Sequence, residues 1–274
     1  MELLEKFVRL THTQMPQPSL FGYAHIFWIV ICIISIVIVS LTCKNLSDKK
    51  LRRILLISAG SLLFLEMIKQ LNFAYDPSTG VWEYYWKQFP FQFCSVPMYI
   101  MVLAGVIKEG KFRSALYSFL ATFGLFAGLV VTVFPATILS NIVFRFSQSM
   151  IHHITMLVIG ILMYVSGRVQ FKNKTILQSI PIFLTCVVIA FTMNIIFHAS
   201  GNTASFNMFY IGPYSSCDIP VLSSIGDMLK IDSENLHFGN FVFLFIYAIG
   251  FSLASYIVLL VAILINKRLT KNKS

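Results

Sequence analysis

Residues 22–43 read GYAHIFWIVICIISIVIVSLTC, and residues 44–53 follow as KNLSDKKLRR. The first stretch has no charged residue and is long enough, at about 1.5 Å per helical residue, to cross roughly 30 Å of hydrocarbon. Five cations then fall within ten residues: Lys44, Lys49, Lys50, Arg52 and Arg53. An uncharged helix-length run closed by a basic cluster is the pattern of a membrane span that ends in the cytoplasm. The run is too long, and too free of a small-residue cleavage site, to read as a removed signal peptide.

The same alternation continues along the 274-residue chain. Apolar segments fall at about 22–43, 54–74, 90–107, 115–135, 148–167, 176–198 and 239–265. Hydrophobic residues make up 57 % of the chain and charged residues 12 %, with mean hydropathy +0.78. Soluble domains carry about 25 % charged residues, so a water-soluble, disordered or coiled-coil chain is excluded. The expected architecture is an all-α bundle of seven transmembrane helices forming one membrane domain over 1–274, a multi-pass protein of the cell membrane.

Orientation follows from the cations. Under strict alternation 15 Lys and Arg, up to Lys271 and Lys273 in the tail, collect on one side and five (Lys6, Arg9, Lys87, Arg145 and Lys230) on the other; Lys69 lies within the second span. Basic loops are retained in the cytoplasm, which puts the N-terminus outside and the C-terminus inside. The net charge of +10 is thereby explained by topology. Nucleic acid is not expected as a partner, because no basic stripe with interleaved aromatics stands outside the spans; membrane lipids are. The outer segments are aromatic and mildly acidic. One carries Trp82, Glu83, Tyr84, Tyr85 and Trp86, read as an interfacial belt. The other, the long outer loop 199–237, holds Asp218, Asp227, Asp232 and Glu234.

Polar side chains inside spans are costly and mark functional or packing positions. Here they gather at the outer ends: Glu66, Lys69, Gln70 and Asn72 in the second span; Gln92, Cys94 and Ser95 in the third; Gln148, His152 and His153 in the fifth; Asn194 and His198, four residues apart, in the sixth; then Asn207 and Asn240. A helical rise places Cys94 roughly 6 Å and His153 roughly 8 Å below the outer boundary. The inner halves are Leu, Ile, Val and Phe. A thiol level with imidazoles is the nucleophile–base pair of covalent acyl transfer, with a nearby imidazolium lowering the thiol pKa and supplying thiolate. Gln92, Asn194 or Asn207 would donate to a developing oxyanion. His152 and His153 point about 100° apart on a helix, and His153 is the favoured partner. Two other readings of Cys94 stay open: a small core residue, or a disulfide to Cys217. Glu66 reads as the i,i+3 partner of Lys69 or as the group that orients a histidine. His12, His25 and His237 read as interfacial bystanders. The five cysteines show no metal-ligand spacing, and no glycine-rich nucleotide loop is present; neither metal nor cofactor is expected.

These residues carry a resemblance. Pro90-Phe91-Gln92-Phe93-Cys94-Ser95 resembles the Pro-x-(His/Gln)-x-Cys-(Ser/Asp) signature of YwaF-like bacterial membrane proteins, which are similar to vertebrate transmembrane protein 164. The run Phe144 to His153 resembles that family's histidine-bearing fifth helix, and Asn194 with Asn207-Met208-Phe209-Tyr210 before Pro213 resembles its "Asn-Tyr-aromatic…Pro" segment. The resemblance implies a seven-helix glycerophospholipid acyltransferase with the Cys as acyl carrier and the His as its partner. Met208 stands where the family usually has Tyr, and Gln92 where many relatives have His. A small-solute transporter and a non-catalytic protein that binds lipid or a partner remain the alternatives.

Overall fold

The computed structural model describes residues 2–233 and 235–271; Glu234 and Lys273 lie outside the described residues. In hydrocarbon every backbone polar group must find an internal partner, and a helix supplies one within each segment. All regular structure among the described residues is accordingly helical. In chain order it comprises α1 Glu2–Thr11, α2 Tyr23–Thr42, α3 Asp48–Ala74, α4 Val96–Val106, α5 Lys111–Phe119, α6 Leu125–Val133, α7 Val143–Val165, α8 Lys174–Ala199, α9 Leu222–Leu229 and α10 Phe238–Lys271. The turn joining α5 to α6, Leu120–Gly124, is a π-helix, so Lys111–Val133 forms one continuous rod. Six helices are long and apolar enough to cross a membrane: α2, α3, α5 with α6, α7, α8 and α10.

The third expected span departs from its reading. Its helix begins only at Val96, with Pro97 in the first turn, and ends at Val106. Eleven residues rise about 16 Å, half of the hydrocarbon thickness. Residues 90–95 are a hydrogen-bonded turn, so the depth assigned to Cys94 by helical rise does not apply. Hydropathy cannot separate the two cases, since a coil whose polar groups are satisfied by neighbours is as apolar outside as a helix.

Helix α7 is the centre of the bundle. Thirteen of its residues are buried, Gln148, His152 and His153 among them, whereas α2 buries only His25 and Cys32 and packs Ala24, Trp28, Ile36 and Val39 partly against the core. His25 is more than a bystander: its Nε2 donates to Thr132 O (2.9 Å) and its Nδ1 accepts from Phe21 N (3.0 Å), pinning α2 to the end of α6. Helices α6 and α7 approach closely at Gly128. A Cβ built there would stand 2.7 Å from His153 O and 2.6 Å from Leu157 N, backbone atoms of the turn that carries the second histidine. Small residues permit such crossings where lipid supplies no hydrophobic drive between helices.

One end of the bundle is tied by charge. Arg113 meets Asp48 with both terminal nitrogens (3.1 and 3.0 Å), Arg168 stands 3.9 Å from the same carboxylate, and Arg168 Nη2 donates to Leu46 O. At the opposite end 199–237 is not a free loop. Its Met208, Phe209, Ile211, Cys217 and Ile231 are buried, and Trp86 packs on Phe197 and Phe206.

Candidate functional site

The site is built from the turn before α4. Phe93 enters the aromatic core against Phe183 and Phe251 (5.7 and 5.0 Å between centroids), and both Phe91 and Phe93 pack on Phe209. The carbonyls of the turn are taken in succession. Gln88 O accepts from Gln70 Nε2 (2.7 Å), Phe89 O from Phe91 N, Pro90 O from Tyr99 Oη (2.7 Å), Gln92 O from Ser95 N, and Cys94 O from His152 Nε2 (2.9 Å). This coil is thus hydrogen-bonded by α3, α4 and α7, the condition under which non-helical backbone survives at membrane depth.

The imidazole that reaches residue 94 is therefore that of His152, not the favoured His153, and it reaches the carbonyl. A carbonyl only accepts, so His152 carries its proton on Nε2 and keeps the lone pair of Nδ1. No hydrogen bond among the described residues joins the Cys94 sulfur to either ring. His153 donates from Nδ1 to Ser149 O one turn back (2.7 Å), and the two rings lie 5.5 Å apart. Both histidines are buried, whereas Cys94 is partly exposed. Cys94 and Cys217 are both free thiols.

Beside them lies a buried ion pair. Lys69 Nζ is 2.8 Å from Glu66 Oε1, and the same carboxylate accepts from Gln70 Nε2 (2.7 Å) and Gln148 Nε2 (3.4 Å). Glu66 thus takes its local partner, and among the described residues no hydrogen bond joins it to a histidine.

The three amides expected at an oxyanion are engaged elsewhere. Gln92 brackets the next segment, Nε2 to Asn207 O (2.9 Å) and Oε1 from Phe209 N (2.8 Å). Asn194 brackets Met208, Nδ2 to its carbonyl (3.0 Å) and Oδ1 from its N–H (2.7 Å). Asn207 bonds Gly212 N and Ser216 O. Between these clamps Phe209 and Tyr210 are left-handed, φ +60° and +57°, at roughly 1–2 kcal/mol per residue. Such strain persists only where the surroundings over-determine it. Replacing Asn194 by Ala leaves a buried N–H and carbonyl unpaired; thermal unfolding in detergent should report a loss of about 2–4 kcal/mol, with Asn194→Asp retaining the N–H bond and losing less. His198 takes no part: it is exposed and stacks 3.8 Å over Tyr214.

A cavity of about 830 Å³ opens at this end, lined by Tyr84, Tyr85, Trp86, Asp76 and Arg145 among others, a size typical of small-molecule sites. Cys94 is not in its lining, but Tyr84 Oη donates to Gln70 Oε1 (2.8 Å), which joins the cavity wall to the Glu66 network. Bonds from Ser78 and Thr79 hold the Asp76 carboxyl at about 2, so it is ionised at neutral pH. Arg145 is fixed by Asn72, Nε to Oδ1 (2.5 Å) and Nη2 to the carbonyl (3.1 Å), and lies 4.0 Å over Phe73. Among the described residues it has no carboxylate partner, and no cluster of three His, Cys, Asp or Glu is arranged for a metal ion.

Residues 20–261 match the model of the TMEM164 family. No curated protein and no solved structure matches the chain.

Proposed function

The chain belongs to the TMEM164 family, and from that membership together with the site geometry we propose an acyltransferase of membrane glycerophospholipids in which Cys94 carries the acyl group and His152 moves the proton. The observation that carries this reading is the Cys94 turn held by a buried imidazole, its carbonyl 2.9 Å from His152 Nε2, with the Lys69–Glu66 pair tied to the same helix through Gln148. Anchoring the ring on the nucleophile's carbonyl ties the imidazole to the residue that bears the thiol.

The steps balance without a cofactor. His152 Nδ1 takes the proton from Cys94 Sγ, and the thiolate attacks an ester carbonyl of a phospholipid. The tetrahedral intermediate expels the lysophospholipid oxygen, which recovers the proton from the imidazole. A thioester remains on Cys94. A lysolipid hydroxyl, or water, then gives its proton to His152 and attacks the thioester carbon, and the thiol leaves with that proton. Lys69 supplies positive charge near the thiolate and the oxyanion. Gln92, Asn194 and Asn207 act as positioning residues that fix the 207–212 segment against the Cys94 turn.

In this reading, supported by the positive-inside pattern, the site faces the exoplasmic side of the cell membrane. A transporter fits less well, because the Asp48–Arg113–Arg168 cluster ties the opposite end. The test is labelling of membranes with a thiol-reactive acyl-lipid probe, followed by lipid profiling. Wild type should be labelled at Cys94 and Cys94→Ala should not; equal labelling with unchanged acyl composition would overturn the proposal.

A further inference from the structure

A second site lies at the other end of the bundle. A groove of about 750 Å³ runs between the start of α3 and the end of α4, lined by Asp48, Lys49, Arg52, Arg53, Leu56, Ile57 and Gly105. Residues 49, 53 and 57, and 52 and 56, follow i,i+4 spacing and so form one stripe along α3. The stripe is cationic for two turns and apolar in the third.

The charge of the groove is not compensated. Its acid, Asp48, is taken by Arg113 and Arg168 from outside the lining. Among the described residues Lys49, Arg52 and Arg53 meet no carboxylate. Arg52 is fixed in the wall, Nε to Gly105 O (2.6 Å) and Nη2 to Val106 O (3.1 Å), where it caps the last carbonyls of α4; three of its five N–H donors remain. Gly105 sets the width. A Cβ there would lie 2.6 Å from Leu56 Cγ, so the glycine lets the two helices close the floor while the cations line the rim. Helix stability does not account for the arrangement, since the dipole of α3 opposes cations in its first turns. Topology does not either: the positive-inside rule needs basic residues near the span, and Lys44 and Lys50 meet that need without lining the groove.

What lies beyond the cations selects the ligand. Leu56 and Ile57 are 39 % and 61 % exposed, and Leu103 and Val106 on the facing helix 40 % and 54 %. In a span these surfaces face acyl chains. We propose that the groove binds an anionic phospholipid, its phosphate against Lys49, Arg52 and Arg53 and an acyl chain along Leu56, Ile57 and Val106. Basic pockets between helices at the cytoplasmic boundary suit phosphate head groups, and each cation near an anionic surface contributes about fivefold in affinity. The site is independent of the Cys94 chemistry.

The full-length protein, purified in detergent with an equimolar mixture of phosphatidylglycerol and phosphatidylcholine, tests the site by native mass spectrometry. Wild type should retain phosphatidylglycerol preferentially. The Lys49→Gln/Arg53→Gln variant should lose about 30-fold of that preference, while Lys44→Gln/Lys50→Gln, which removes the same charge outside the groove, should lose little. Equal loss in the two pairs would reduce the effect to general surface charge and overturn the site. If the groove pair does not fold, Arg53→Gln against Arg53→Lys gives the same contrast, about fivefold in the first and near wild type in the second. Soluble glycerol 3-phosphate should fail to displace the lipid at concentrations where added phosphatidylglycerol exchanges; displacement by both alike would mean a phosphate site without an acyl chain, against the proposal.

Discussion

His152→Gln should lower acyl transfer by about 10²–10⁴-fold, the span usual for a lost general base, with thermal stability near wild type. The substitution is chosen because His152 holds two roles that separate chemically. Its Nε2–H satisfies Cys94 O, a bond that a glutamine amide can also make. Its Nδ1 is a basic lone pair, which glutamine cannot supply. If the histidine serves only to hold the turn, His152→Gln keeps both fold and turnover, and the acid–base role falls. His152→Ala should fail in both respects, since the Cys94 carbonyl is left without its donor. His153→Gln provides the comparison: its ring bonds Ser149 O on its own helix, so turnover should change by less than tenfold. Rates need measuring on detergent-solubilised protein with defined lipid, normalised to folded protein by intrinsic tryptophan fluorescence.

The second large effect is on stability. Glu66→Leu leaves the Lys69 ammonium, 15 % exposed, without its carboxylate partner. Removing one member of a buried ion pair costs about 3–5 kcal/mol, whereas replacing both by apolar groups is often neutral. Glu66→Leu should therefore unfold at markedly lower temperature, and Glu66→Leu/Lys69→Leu should recover most of the loss. Turnover separates the two residues' roles. If Lys69 stabilises negative charge on Cys94 or its oxyanion, the double variant regains stability without activity. An active double variant would make the pair purely structural.

Much of this molecule is legible in its sequence, because hydropathy and the cost of unpaired backbone in lipid dictate helices wherever some 20 apolar residues run together. The i,i+3 spacing of Glu66 and Lys69 also declares their pairing. Three features escape such reading for separate reasons. The late start of α4 is hidden by Phe89, Phe91 and Phe93, which look like span residues; Pro97 is the signal that marks a helix beginning, as proline is tolerated in a first turn. The choice between His152 and His153 depends on the rotation of α7 against its neighbours, which two adjacent residues cannot express. The amides of Gln92 and Asn194 serve backbone 14 to 117 positions away; composition shows that partners are needed but not which backbone they hold.

The turn at residues 88–95 also governs how this end of the protein can move. A continuous helix can slide or rotate about its axis while keeping its own ladder intact. This crossing cannot, since Gln70, Tyr99 and His152, donors from three helices, each grip its backbone. Shifting one of those rods alone would strand carbonyls in oil. The three helices are thereby coupled, and a displacement of one has to carry the others with it.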